Sequence, residues 1–183
     1  MNQPIERLIC LFHRRWALPV IAELHAARGA KFITLAKRLH AGRETLHATL
    51  QDLIQLRLVQ HNTGYGHPMR PEYLLTPAGS RLGEPAQLLL KTVQRLEIQP
   101  LAFRKWTMPV TWTLGHGVDR FNHLRDELPG ITSRALTLSL KEMQEQRLVR
   151  RDVLDAYPPI TSYRLNRRAQ PVLQALEPVA EAV

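Results

Sequence analysis

Arg14-Arg15-Trp16-Ala17-Leu18-Pro19-Val20 and Arg104-Lys105-Trp106-Thr107-Met108-Pro109-Val110 decide how this chain is to be read. They are one pattern written twice, 90 residues apart. Working outward, Leu46 and Leu50 return as Leu136 and Leu140, and Arg57-Leu58-Val59 returns as Arg147-Leu148-Val149. Pro68 returns as Pro158, and Tyr73-x-Leu75 as Tyr163-x-Leu165. Lys31-Phe32 returns as Arg120-Phe121 at an offset of 89, which implies a one-residue length change in the intervening turns. An ordered series of matches at nearly constant spacing marks an internal duplication in which each copy is one structural unit. The units are expected at residues 1–99 and 100–183.

The elements of the first copy follow from periodicity and punctuation. Trp16 to about Ala27 reads as an apolar helix, with Pro19 tolerable only in its first turn. Phe32, Leu35, Ala36 and Leu39 have the i, i+3, i+4, i+7 spacing of an amphipathic helix. After the His40-Ala41-Gly42 break, a helix from Arg43 to Leu56 places Leu46, Leu50, Leu53 and Ile54 on one face. A strand at 58–61, a turn-rich stretch at 62–68 and a strand at 72–76 complete the copy. The second copy predicts helices at 106–114 and 121–128, a Pro129-Gly130 turn, and a third helix capped by Thr132 and running to about Gln146. Strands at 148–154 and 161–165 flank Asp155-Ala156-Tyr157-Pro158-Pro159.

Helix, helix, turn, helix and hairpin, twice over, predict a mainly α, α+β chain of two winged helix-turn-helix units in tandem. Two further helices, 84–97 and 167–183, are expected to close the copies, the second broken or begun late by Pro171 and Pro178. Ala86, Leu89, Leu90, Val93 and Leu96 form an apolar stripe that either joins the copies or belongs to the first copy's core.

The composition, 44% apolar and 22% charged over 183 residues, is that of a globular protein. No apolar run reaches the roughly 18 residues of a membrane span. Residues 1–12 contain Glu6 and lack a cleavage-site pattern, so they do not read as a signal peptide. The single cysteine, Cys10, excludes an internal disulfide and a cysteine-rich zinc site. It lies in the apolar stretch 8–12 and is expected to be a buried, inert thiol. The expected location is the cytoplasm.

The net charge is +9, with 12 basic against 6 acidic residues in 1–91 and 13 against 10 in 92–183. Such a balance favours a polyanionic partner, nucleic acid before an acidic membrane surface. The eight histidines show no ligand spacing, so no metal is expected. Without a Gly-rich phosphate loop, a nucleophile elbow or a recognisable carboxylate pair, neither catalysis nor a cofactor is expected.

Arg104-Lys105-Trp106, Arg120-Phe121-Asn122-His123-Leu124-Arg125 and Leu128-Pro129-Gly130-Ile131-Thr132 closely resemble the signatures of the HxlR-type family of bacterial winged-helix transcription regulators. Leu136-Thr137-x-x-Leu140, Leu148-Val149-x-Arg151, Pro158-Pro159 and Tyr163-x-Leu165 continue in register. The first copy keeps Pro4-Ile5-Glu6-Arg7, Arg15-Trp16, Phe32, Leu35, Leu46, Leu50 and Leu58-Val59, with His40-Ala41-Gly42 in place of the Pro-Gly-Ile turn. The resemblance implies a DNA-binding regulator. Members of that family usually carry one winged helix per chain and bind as homodimers, so two fused copies imply an intramolecular pseudo-dimer, with a true homodimer as the alternative. Several members sense reactive species through a cysteine before the N-terminal proline; here Gln3 stands there, so no switch of that type is expected.

In a winged helix-turn-helix the third helix lies in the major groove and the wing reaches phosphates or the minor groove. The candidate DNA-reading residues are Arg43, Thr45, His47 and Gln51 in the first copy and Thr132, Ser133, Arg134, Thr137 and Lys141 in the second. Arg134 suits a bidentate guanine or a phosphate contact, and the hydroxyls pair flexibly. The wings offer Arg57, His67 and Arg70, then Arg147, Arg150 and Arg151. Glu44 is a cost beside phosphate, although it can accept from a cytosine amine, and Leu138 stands within the second reading face. Trp16 and Trp106 read as core anchors.

Sequence-specific binding to duplex DNA is the expected function. A tandem protein-docking module without DNA binding is the alternative. Single-stranded nucleic acid fits less well, because aromatic residues make up only 6% of the chain. The membrane is not an expected partner, and no small-molecule effector is indicated.

Overall fold

A computed structural model describes residues 3–62, 72–154 and 160–183, and in it the duplication appears as one path traced twice. The first copy runs α1 (Gln3–Leu11), α2 (Ala17–Ala27), α3 (Phe32–Leu39), α4 (Arg43–Gln55), β1 (Val59–His61), β2 (Tyr73–Leu75), α5 (Pro77–Arg81) and α6 (Gly83–Arg95). The second runs α7 (Gln99–Ala102), α8 (Thr107–Gly115), α9 (Phe121–Glu127), α10 (Ser133–Glu145), β3 (Val149–Leu154), β4 (Ile160–Leu165), a 3-10 turn (Arg167–Ala169) and α11 (Gln170–Ala182). Among the described residues the strands form two antiparallel hairpins, so the chain is a mainly α, tandem winged helix-turn-helix protein. The offset between the copies falls from 90 at the start of α2 and α8 to 89 at the start of α3 and α9, and returns to 90 at the start of α4 and α10, so one residue is lost before the second of these helices and one gained after it.

The repeated prolines explain where the first long helix of each copy begins. Pro19 and Pro109 are the third residues of α2 and α8, where an N–H would have no intrahelical acceptor. Most of α2 is buried, including Leu18, Val20, Ile21 and Leu24, because α3, α4, α6 and β2 surround it. Apolar character all round is what a core helix requires.

The same chain reversal sets the wing in each copy. At the end of α4, Arg57 is left-handed (φ 57), its N–H donates to the Ile54 carbonyl at 2.9 Å, and the Leu58 N–H donates to the Leu53 carbonyl at 2.9 Å. This Schellman closure recurs at α10 with Arg147 (φ 56), whose N–H donates to Gln144 at 2.9 Å, and with Leu148, which donates to Met143 at 2.8 Å. The returning strand then clamps the reversal. The Thr76 hydroxyl donates to the Arg57 carbonyl at 2.7 Å, and the Asn166 side-chain amide donates to the Arg147 carbonyl at 3.0 Å. Different side chains satisfy the same orphaned backbone acceptor at the same place.

Among the described residues β1 and β2 pair over three positions, from Val59↔Leu75 to His61↔Tyr73, and β3 and β4 over six, from Val149↔Leu165 to Leu154↔Ile160.

The copies share one contiguous core. α6 packs against α2 on one side and α11 on the other, while α1 crosses to α8 and α11. Ala86, Leu89 and Val93 of the α6 stripe are buried and Leu90 and Leu96 pack against the core, so the stripe both completes the first copy and joins the two. Side-chain hydrogen bonds also cross between copies, from Arg7 to the Val183 backbone oxygen at 2.5 Å and from Arg168 to the Leu96 carbonyl at 2.7 Å.

The closing helix begins late, as expected: a 3-10 turn at Arg167–Ala169 precedes α11, which starts at Gln170 with Pro171 in its first turn. The effect expected of Pro178 and the burial expected of Cys10 are corrected. Pro178 lies inside α11 without breaking it. Leu173, Leu176, Val179 and Ala180, buried on both sides of Pro178, hold the helix across the missing hydrogen bond. Cys10 is exposed rather than buried. Its stretch forms the end of a helix whose inner face takes Ile5, Leu8 and Leu11, which leaves position 10 outside. Among the described residues no helix is long and apolar enough to cross a membrane.

Candidate nucleic-acid interface

α4 and α10 are two-faced helices of the same length, and their inner faces match. Leu46, Thr49, Leu50 and Leu53 are buried on α4; Leu136, Ser139, Leu140 and Met143 are buried on α10. The outer face of α4 carries Arg43, Glu44, Thr45, His47 and Gln51, all exposed. The outer face of α10 carries Ser133, Arg134, Thr137, Leu138 and Lys141, also exposed. Arg43, His47 and Gln51 stand at i, i+4, i+8, as do Ser133, Thr137 and Lys141, so each set lies along one side of its helix.

Hydrogen bonding narrows what the hydroxyls can do. The Thr132 side chain caps α10 by accepting from the Ala135 N–H at 3.2 Å, as its sequence position predicted. The Thr137 hydroxyl donates to the Ser133 carbonyl at 2.8 Å, which leaves its methyl and oxygen lone pairs for any partner. α4 has Gly42 at the capping position and no side-chain cap.

Both outer helices are tied to the segment preceding the first long helix of their copy. Arg14 Nε lies 2.7 Å from Asp52 on α4, and Arg104 pairs with Glu142 on α10 at the equivalent position. All four side chains are at least partly exposed, so these pairs orient the helices more than they stabilise them.

The wings are less alike. Arg150 and Arg151 are exposed on β3, but strand alternation places them on opposite faces, so they do not act as a pair. The register sets Arg164 of β4 opposite Arg150, also exposed, with Arg150 Nε 3.2 Å from Asp152. Sequence reasoning missed Arg164 because only strand register brings it beside Arg150. In the first wing, Gln60 and His61 occupy the places of Arg150 and Arg151. Arg57 and Arg147 are exposed at the left-handed turns, while Arg70 and His67 lie outside the described residues.

The His61 ring packs on Tyr73 with centroids 4.8 Å apart. Burial, and then the neighbouring Glu72 carboxylate, raise the Tyr73 phenol above its ordinary pKa. The neutral phenol therefore favours the folded state fully below the ordinary phenol range, and that contribution is lost as pH rises from there through the raised folded-state value.

The HxlR-like helix-turn-helix family matches this chain twice, over residues 11–98 and 101–182. The chain belongs to that family. Its relatives include uncharacterised HTH-type transcriptional regulators of Methanothermobacter thermautotrophicus (34% identical over 77 residues, 42% of this chain and 59% of the relative) and of Synechocystis (sll1512; 37% over 75 residues, 39% and 56%). YdeP of Bacillus subtilis, with the same description, is 36% identical over 72 residues, 38% of this chain and 56% of the relative. The matched part of this chain spans a little over half the length of these curated relatives.

This HxlR-like chain carries two family units. Trp16 and Trp106 stand at equivalent places in them, half-buried against the core. A cation lies over each ring, Arg15 at 5.3 Å and Lys105 at 4.7 Å. Among the described residues no group of three or more His, Cys, Asp or Glu side chains is placed to hold a metal ion.

Proposed function

We propose that this chain is a DNA-binding transcriptional regulator that reads duplex DNA sequence-specifically through two non-identical winged helices. The observation that carries the reading is the pair of outward polar faces on α4 and α10, each fixed at an equivalent place and followed by a wing, in a chain of net charge +9. Arg43, Thr45, His47 and Gln51 contact one half-site; Ser133, Arg134, Thr137 and Lys141 contact the other, with Thr132 shaping the start of α10. Arg57, Arg70, Arg147, Arg150 and Arg151 bind backbone phosphates, and Arg164 joins Arg150 on one face of the second wing. The units are 1–99 and 100–183, joined through α6, α11 and α1, so a monomer serves as its own pseudo-dimer. It acts in the cytoplasm on a nearby promoter.

Binding to fluorescent random-sequence and genomic upstream duplexes, across about 50 to 200 mM salt, tests this reading. The expected result is affinity that falls steeply with salt, together with a preference for particular upstream sequences. Negligible binding by the folded protein would overturn it and point to protein docking instead. Selection from a random pool is expected to yield unequal half-sites, and a perfect palindrome would contradict the pseudo-dimer.

A further inference from the structure

The two reading faces differ in one respect that charge does not capture. Leu138 is 52% exposed at the middle of the α10 face, with Arg134 one turn before it and Lys141 one turn after. The equivalent position on α4 is the small Ala48. An isolated exposed leucine needs no explanation on an ordinary surface. Here a second observation adds to it. Thr137, beside Leu138, has its hydroxyl hydrogen committed to the Ser133 carbonyl, so it too presents a methyl. The centre of α10 is thus an apolar spot flanked by two cations, whereas α4 presents Arg43, Glu44, Thr45, His47 and Gln51, with no apolar side chain larger than the Thr45 methyl among them.

In the major groove the one apolar feature at a base edge is the 5-methyl group of thymine. We infer that Leu138, backed by the Thr137 methyl, is a specificity-determining residue that selects a thymine methyl in the half-site read by the second unit, and that the first unit has no equivalent. Arg134 and Lys141 hold the flanking guanine edges or phosphates and set the depth of α10, so the methyl contact is made only in register. The operator is therefore asymmetric in a chemical sense: uracil cannot replace thymine at one or two places in one half, but can throughout the other. This inference rests on the DNA-binding reading above.

The test uses the full chain and a duplex selected by it from a random pool, with deoxyuridine replacing thymine one position at a time. Loss of one buried methyl is expected to weaken binding about fourfold, at one or two positions confined to one half-site. In Leu138→Ala, affinity for the thymine duplex falls by a similar factor and the uracil penalty disappears. The exposed position should leave the thermal unfolding midpoint unchanged, which separates lost contact from lost fold. Binding without any uracil-sensitive position, or a penalty that persists in Leu138→Ala, overturns this inference alone. Failure to bind any duplex overturns the DNA-binding reading and this inference with it.

Discussion

The first and second units share an inner architecture and differ on the face they turn outward. Inside, Leu46, Leu50 and Leu53 correspond to Leu136, Leu140 and Met143, and left-handed Arg57 corresponds to Arg147. Outside, Glu44 faces Arg134 in the alignment, His47 faces Thr137, and Gln60 and His61 stand where Arg150 and Arg151 stand. Among the described residues the second hairpin pairs over six positions against three in the first, and α10 has a side-chain cap that α4 lacks. Packing constraints act on the inner set, because a close-packed interior penalises any change of volume. No such constraint acts on the outer set, so the two faces are free to differ in what they bind.

That comparison can be broken most forcefully in the core. Leu50→Ala and Leu140→Ala each remove a fully buried side chain, at a cost of about 2 to 5 kcal/mol. Because the copies share one core, urea unfolding of either variant should show a single transition shifted by a similar amount. Two separated transitions would show that the units are energetically independent.

A smaller effect is expected at the interface. Arg134→Ala with Lys141→Ala should weaken DNA binding by about tenfold and lower the salt slope by about 2, one for each lost cation. Arg43→Ala with Gln51→Ala removes a single cation and should lower the slope by about 1. Equal slopes for the two pairs would erase the proposed inequality of the units.

The caps offer a finer comparison. Thr132→Ala should cost about 1 kcal/mol by removing the acceptor for the Ala135 N–H. Gly42→Ser, where an added Cβ meets nothing within 4 Å, should gain a few tenths of a kcal/mol by giving α4 the cap it lacks. Chemical denaturation reads both, and a destabilised Gly42→Ser would mean that the backbone there has another task.

The smallest effects belong to the ion pairs. Asp52→Asn and Glu142→Gln should each cost less than about 1 kcal/mol at low salt and almost nothing near 1 M salt, where screening acts over only about 3 Å. A difference between the two that survives high salt would show that one pair does more than orient its helix.

The duplication, the order of elements and the buried positions were legible in the sequence because they depend on local periodicity and on repetition. Thr132 was legible as a cap because its residue type and place before an apolar helix leave few other roles. Cys10 was misread because an apolar stretch does not declare which side of a helix faces in; its neighbours Ile5, Leu8 and Leu11 decided that collectively. Arg164 escaped notice for a related reason, since its place beside Arg150 exists only once two distant strands are in register.

By itself, then, the sequence determined that two winged units exist, where their helices and hairpins lie, and which side chains α4 and α10 turn outward. These follow from helical and strand periods acting over a few residues. Only the tertiary structure decided that α6 would serve both units at once, that α1 would cross to α8 and α11, and that Arg164 would stand opposite Arg150. Those outcomes rest on contacts between residues far apart in the chain, which depend on shape and register rather than on local pattern.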